Sequence, residues 1–501
     1  MEEEKKIVYK LEKHELASER KERRERNLRR LLFAAVCLLC IWIGFSLGYL
    51  FDRHYSNTPQ TVTADQKMES IKGYMRSLWF YASDYEDLDA TLSDKACYGM
   101  TDFDFDPYTT YMSAEELDEF SSGINLNIVG IGISYSKYAG VPTVLRVYKD
   151  APADKAGIQE GDQLIKVDGI DVTEMDTDEI RELVLGEEGT IVTITIRREG
   201  EEMDLAITRG EVDITVYAET VGDVVVLSIF SFGDHSYDEV KHYLDGYRDY
   251  EKLIIDLRDN GGGYQTAVED IASLFLKEGS VVMRLVYGDG SENVSKTSGK
   301  TYYDNFKKII ILTNESTASA SEVLVMALRE QHPNAIVMGR TTYGKGVVQT
   351  TVPMRDGSAL KVTTSKWLSS KGVWINGEGI KPDIEVPQDD ILYMNYGIFP
   401  EDEEYDVDQV SDLICVAETG LRFLDYEVER TDGYFPESLK ETLAQYQQEH
   451  ELEVTSTLNA ETYEAILSSV VREWNFDKNK DYQMNAALKA FEEQPDYVVH
   501  P

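Results

Sequence analysis

Residues 31–51 form a run of twenty-one side chains without a charge. As a helix rising about 1.5 Å per residue, the run would extend roughly 31 Å, enough to cross the hydrocarbon core of a bilayer. Arg20, Lys21, Arg23, Arg24, Arg26, Arg29 and Arg30 precede it, which sets the N-terminus in the cytoplasm and the rest of the chain outside. A cleaved signal peptide is disfavoured by the long charged lead, the length of the run and the lack of a small-x-small site before Asp52. Residues 63–94 then repeat apolar positions at helical spacing (Ile71, Tyr74, Leu78, Tyr81). Asp106-Pro-Tyr-Thr-Thr-Tyr-Met112 reads as a turn, and Ser113-Ala-Glu-Glu-Leu opens a helix with a capping box. From residue 123 to 209 the rhythm is strand-like alternation, as in Thr190-Ile-Val-Thr-Ile-Thr-Ile196, interrupted by short helices at 153–156 and 177–185. Near Glu211 the pattern changes. Short apolar runs at 224–229, 253–257, 309–312 and 335–338 alternate with helical stretches at 237–248, 267–276 and 321–329, which predicts a layered α/β core. Acidic clusters at Asp389-Asp390 and residues 401–404 mark a linker, and a helical tail follows over 408–493.

Composition narrows the setting. The chain has 501 residues, 42% apolar and 28% charged, as a globular protein of about two to four domains would. Its formal net charge is −42; residues 1–30 carry 11 basic and 8 acidic side chains (+3), so the remainder carries −45. So acidic an exported portion argues against nucleic acid and against docking on anionic lipid surfaces. Cys37 and Cys40 lie inside the apolar run, which speaks against a redox or zinc role for their spacing, and Cys97 and Cys415 are expected to be free, buried thiols. Seven scattered histidines suggest no metal site, and no cofactor is expected.

Ala151-Pro-Ala-Asp-Lys-Ala-Gly-Ile, continuing through Gly161-Asp to Val167-Asp-Gly169, closely resembles the middle of a PDZ domain spanning about residues 122–209. Upstream, Gly130, Ile131, Gly132 and Ile133 match that family's carboxylate-binding loop. Glycines there let successive N–H groups converge on an anion, while the apolar side chains shape a pocket for a terminal residue. The implied ligand is a free C-terminus with an apolar end, added as a strand beside residues 131–134 and facing the helix at 177–185.

Three further segments carry candidate chemistry: Ile254-Ile-Asp-Leu-Arg-Asp-Asn-Gly-Gly-Gly263, Asn314-Glu-Ser-Thr-Ala-Ser-Ala-Ser-Glu322 and Tyr343-Gly-Lys-Gly-Val-Val-Gln349. A serine at a strand-to-helix turn exposes its hydroxyl where the helix N-terminus favours a developing oxyanion. Among the competing hydroxyls, Ser321 is the expected N-cap of the following helix and Ser316 and Thr317 lie earlier in the turn, which leaves Ser319. Lys345 is the candidate base, because desolvation disfavours an ammonium and can lower a lysine pKa by several units. Gln349 is neutral and can orient the neutral amine without raising its pKa as a carboxylate would. Four residues of extended strand cover about 13 Å, so a helical or bulged turn is expected between Lys345 and Gln349. The G-x4-G-K frame at Gly339–Lys345 has Gly346 where a phosphate loop needs Ser or Thr, and His235, His242 and His332 sit beside no recognisable triad motif.

Taken together, the three segments resemble the core of the carboxyl-terminal processing (tail-specific, S41) serine proteases, over about residues 65–388. The resemblance implies Ser319 as nucleophile, Lys345 as general base, Gln349 as its orienting partner, and backbone N–H groups of Ala320 and Gly263 as oxyanion donors. It also implies that peptide binding to the PDZ domain switches the protease on, with Arg209 a candidate relay, and that chains pair as homodimers. In the tail, Asp432-Gly-Tyr-Phe, Tyr446-Gln-Gln and Leu458-Asn-Ala-Glu-Thr resemble a three-helix peptidoglycan-binding fold, with Thr455 in place of the usual glycine. The expected organisation is a cytoplasmic segment (1–30), a membrane helix (31–51), a helical lead (55–121), a PDZ insert (122–209), the protease core (210–388), a linker (389–407) and a peptidoglycan-binding-like tail (408–501). The expected activity is an anchored extracytoplasmic endopeptidase acting on exported proteins with apolar C-termini. A non-catalytic PDZ adaptor at membrane or wall is the alternative.

Overall fold

The computed structural model describes residues 17–492, apart from 56–61, 127, 139–140, 174, 199, 213, 300–301 and 401. Contacts divide the chain into a unit ending at Ala96 and a second unit from Cys97 onward. In the first, a 39-residue helix, Ala17–Tyr55, contains the stretch Lys21–Gly48, long and apolar enough to cross a membrane. The helix Ala64–Leu78 follows, opened by the capping box of Thr63 and Gln66. The single helical stretch expected over 63–94 is broken at Trp79: the chain turns through Ala82–Asp84 and becomes helical again at Leu88.

The alternating segment folds into an antiparallel sheet, in the order Ile133–Tyr138, Val141–Val147, Gln163–Val167, Ile191–Arg198 and Glu201–Thr208. Val192, Ile194 and Ile196 are fully buried, as a two-residue period with one face on a core requires. The two short helices form at Pro152–Ala156 and Thr177–Val184. Arg209 is buried, and its guanidinium donates to the carbonyls of Leu183 (2.9 Å) and Val184 (2.8 Å) and to Thr190. It therefore neutralises the carbonyl end of the second helix, and these bonds stay within the domain. Antiparallel pairing of Ile128–Gly130 with Gly210–Val212 ties together the two ends of the insert.

Beyond the insert lies a six-stranded sheet, ordered Val216–Val221, Val224–Ile229, Lys252–Asp256, Lys308–Thr313, Ala335–Gly339 and Ile384–Glu385. Only the first pair is antiparallel. Its inner strands read as continuous apolar runs because both faces are covered. Helices Ser236–Asp245, Gln265–Phe275 and Ala320–Gln331 pack on one face, through Val240, Ile271 and Leu324 among others. On the other face, Ala487 and Phe491 of helix Tyr482–Glu492 pack with Val226, Ile254, Ile310 and Met338. That helix falls in the span grouped above with the tail. Arg258 pins its start, with two hydrogen bonds of 2.8 Å to Asp481, while the same guanidinium holds Asp256 at 2.6 and 2.9 Å.

A second, five-stranded sheet was not anticipated. Ala359–Leu368 pairs with Thr110–Met112, Val281–Tyr287 and Val347–Pro353, and Glu292–Lys296 forms the far edge. In the tail, helices Asp412–Phe423, Glu437–Glu449 and Ala460–Phe476 enclose a separate core around Phe435, Tyr446 and Ile466. The last of these helices runs beside the strand Ile133–Tyr138. All four cysteines are unpaired, and Cys97 and Cys415 are half-buried, not buried as expected.

Candidate active site

Strand Lys308–Thr313 ends in a turn, and helix Ala320–Gln331 begins directly after Ser319. Ser319 has φ +58° and ψ −116°, a conformation that costs a non-glycine residue about 1–3 kcal/mol and needs support from its surroundings. The support is on both sides. Ala318 N–H donates to the Asn260 carbonyl (3.0 Å), Thr317 Oγ1 to the Leu257 carbonyl (2.8 Å), and Ser321 Oγ to the Asn260 carbonyl (3.0 Å). Ser321 is thus not the N-cap expected from sequence. The cap lies two residues earlier, at Ser319, and the Ser321 hydroxyl is buried against the neighbouring turn. Ser316 is exposed. Of these hydroxyls, only that of Ser319 lines the cavity described next.

A cavity of about 360 Å³ brings Ser319, Ala320, Gly263, Lys345 and Gln349 onto one surface, with Val268, Met283, Val323 and Trp367 as apolar lining. Gly262 allows the close approach: a Cβ there would lie 2.8 Å from the Ser319 Cβ and 3.0 Å from the Ala320 nitrogen. The Gly262 N–H is taken by Asn260 Oδ1 at 2.8 Å. The N–H groups of Gly263 and Ala320 make no hydrogen bond among the described residues, so both remain free to receive an anion. No hydrogen bond joins Ser319 Oγ to Lys345 Nζ in this arrangement.

Lys345 is half-buried on the segment that leads into Val347–Pro353. Its amine lies 4.8 Å from the centroid of the Tyr108 ring. Burial pushes its pKa below the ordinary lysine value, the nearby Lys361 cation adds to this, and Glu322 opposes it. The Tyr108 hydroxyl is pushed up to about 12 by burial and by its hydrogen bond with Tyr343. Backbone anchors fix the lysine: Trp367 Nε1 donates to its carbonyl (2.8 Å), and Trp374 Nε1 donates to the carbonyl of Gly346 (2.9 Å). The expected bend takes the form of a β-bulge between Val348 and Gln349, not a helical turn.

Three contributions were missed in the sequence. Glu322 is fully buried, and its carboxylate accepts from Ser319 N (2.8 Å), Lys345 N (2.9 Å), Gly344 N (2.7 Å) and Thr342 Oγ1 (2.5 Å). One side chain therefore clamps the serine turn to the lysine segment. Its only local signal is the Ser-x-x-Glu spacing from Ser319. The turn beginning at Asp106 supplies Tyr108 against Lys345, and Asp106 itself reaches Thr363, which accepts from Gln349 Nε2 at 3.3 Å. Lys361 lines the same cavity.

His235, His242 and His332 do not line the cavity. Among the described residues, no group of three or more His, Cys, Asp or Glu is arranged to hold a metal ion. In the PDZ-like segment, Ile131 is buried and its carbonyl accepts from Ala153 N (2.8 Å), while Gly132 has φ +77° and Ile133 enters the first strand. Gly130 ends the short strand before them. A Cβ on Gly132 would come within 2.4 Å of the Ala151 Cβ.

Comparison with known proteins adds the following. The model of Peptidase family S41 matches residues 223–386, a PDZ domain model matches 143–198, and a "Putative peptidoglycan binding domain" model matches 411–466. A "Probable CtpA-like serine protease" of Staphylococcus haemolyticus (strain JCSC1435) is 34% identical over 392 residues, covering 77% of each chain. One from Staphylococcus aureus (strain N315) is 31% identical over 477 residues, covering 93% of this chain and 95% of its own. Among solved structures, a photosystem II D1 C-terminal processing protease aligns at 24% identity with a TM-score of 0.38, covering 65% of this chain and 94% of its own.

Proposed function

This chain belongs to the S41 peptidases, as a CtpA-like serine-type C-terminal processing protease, and from that premise we propose that Ser319 is its nucleophile and Lys345 its general base. The observation that carries the proposal is the shared cavity, in which a strained serine, a desolvated lysine and two unengaged N–H groups face one space. In its neutral form, Lys345 Nζ takes the proton of Ser319 Oγ as that oxygen attacks a peptide carbonyl. The carbonyl oxygen becomes an anion between Ala320 N–H and Gly263 N–H, close to the positive end of helix Ala320–Gln331. The lysine ammonium then protonates the departing amine, and an acyl-Ser319 ester remains. Water, deprotonated by the same amine, releases it. Gln349 orients the amine. The transfer needs about 2.6–3.2 Å between Oγ and Nζ, so the pair closes when substrate occupies the cavity.

Substrates reach this site by their C-termini. The loop of Gly130, Ile131, Gly132 and Ile133 captures an apolar terminus, and the peptide adds beside residues 131–134, facing the helix at 177–185. The helix within Ala17–Tyr55 anchors the enzyme as a single-pass membrane protein, with its catalytic part outside the cytoplasm. The tail associates with peptidoglycan, and chains pair as homodimers. No cofactor and no nucleic acid take part.

The test compares cleavage of a peptide with an apolar C-terminus by wild type, Ser319→Ala and Lys345→Ala. Activity in wild type alone is expected. Equal turnover in all three would sink the assignment.

A further inference from the structure

The amide of Gln349 has two unlike ends, one that accepts and one that donates, and a lysine base is served by only one of them. The choice is made by a line of hydrogen bonds that begins at a carboxylate on a distant turn. Asp106 accepts from Thr109 Oγ1 on one oxygen (2.6 Å), and from Tyr108 N (3.3 Å) and Thr363 Oγ1 (3.0 Å) on the other. Burial alone would raise its pKa, but the hydroxyls of Thr109 and Thr363 and the N–H groups of Tyr108 and Thr109 hold it below the ordinary carboxylate value. Asp106 is therefore an anion at neutral pH and only accepts. The Thr363 hydroxyl proton must point to Asp106, which leaves the Thr363 oxygen as an acceptor. Its partner at 3.3 Å is Gln349 Nε2. The same logic fixes the other threonine: Thr363 N donates to Thr109 Oγ1 (2.9 Å), whose own proton goes to Asp106. With Nε2 committed to Thr363, the end of the amide left for the cavity is Oε1.

We propose that Asp106 and Thr363 are positioning residues that set the polarity of the Gln349 amide, so that the Lys345 amine meets an acceptor and keeps its lone pair for the Ser319 proton. This rests on the Ser319–Lys345 reading above. A neutral lysine amine has two N–H donors and one lone pair. Oε1 takes one N–H and leaves the lone pair facing the serine. The reversed amide would offer Nε2–H to the lone pair and block the base.

The test is the pH dependence of covalent labelling of the full-length protein, in detergent, by a fluorophosphonate probe. Thr363→Val removes the hydroxyl without changing any charge. The charged and titratable groups set around Lys345, namely Lys361, Glu322 and Tyr108 with its partner Tyr343, are untouched. With the amide free to turn, Nε2–H stabilises the neutral lysine. The expected result is a labelling plateau about tenfold lower, the loss of one positioning hydrogen bond, with the acid limb moved to lower pH. Thr363→Ser, which keeps the hydroxyl, recovers the wild-type profile. Asp106→Ala, which leaves the Thr363 proton with no carboxylate to point to, lowers the plateau as Thr363→Val does. A Thr363→Val profile that loses height without moving its limb, or does not change, overturns the proposal. Labelling that persists in Ser319→Ala, or that fails in wild type, instead overturns the nucleophile assignment beneath it.

Discussion

Glu322→Gln is the most informative single-atom change in the site. The carboxylate has two oxygens, and each is used twice: Oε2 by Ser319 N and Lys345 N, Oε1 by Gly344 N and Thr342 Oγ1. Thr342 Oγ1 in turn accepts from Ile380 N at 2.7 Å. A glutamine amide has one acceptor end. Whichever way it turns, an NH2 group faces two donors, and two charge-assisted hydrogen bonds are lost inside a fully buried site. Each such bond contributes about 1.5–3 kcal/mol, so the local loss is about 3–6 kcal/mol. This exceeds the roughly 1–3 kcal/mol stored in the Ser319 backbone, so the serine turn is expected to relax. A loss of about 3 kcal/mol in the transition state corresponds to roughly a 150-fold fall in kcat/KM. The assay is steady-state peptide cleavage, with circular dichroism and thermal unfolding to establish that the fold persists. Folded Glu322→Gln within threefold of wild type would refute the clamp.

Other consequences follow from the same geometry. Lys361→Met removes a cation that lowers the Lys345 pKa; the base is active when neutral, so the acid limb of kcat/KM should move to higher pH, whereas Lys361→Arg should leave it in place. An unmoved limb in Lys361→Met would show that the second lysine does not act on the first. Phe491→Ala opens a cavity against the back of the parallel sheet and should cost about 3–5 kcal/mol in denaturant unfolding; a loss below 1 kcal/mol would mean that the C-terminal helix is not part of that core. Gly132→Val forces a β-branched side chain into a φ of +77° and onto Ala151, so fluorescence anisotropy should show no binding of a labelled peptide with an apolar C-terminus. Retained affinity would exclude this loop as the capture site.

What could be read in advance was local. Ser319 and Lys345 sit in strings of glycine, serine and apolar residues whose turns are dictated within a few positions, and the parallel strands announce themselves as apolar runs because both faces are buried. Contributions joined across long separations were not legible. Asp106 and Thr363 are 257 positions apart, and nothing in an Asp-Pro-Tyr turn says that its carboxylate will set a glutamine amide. The misassigned cap at Ser321 has a physical cause: a left-handed residue at Ser319 starts the helix earlier than a cap with ordinary extended backbone would. Periodicity likewise shows that residues 482–492 have an apolar face, but not that this face meets the protease sheet instead of the three-helix core. The same limit hid the five-stranded sheet, whose half-exposed strands alternate too weakly to stand out.

The central claim is that Ser319 attacks and Lys345 takes its proton. The direct measurement is mass-spectrometric mapping of the fluorophosphonate adduct on wild type and Lys345→Ala at matched pH. A single adduct on Ser319, lost in Lys345→Ala while the protein remains folded, is the predicted result. An adduct on Ser316 or Ser321, or equal labelling without the lysine, would contradict it.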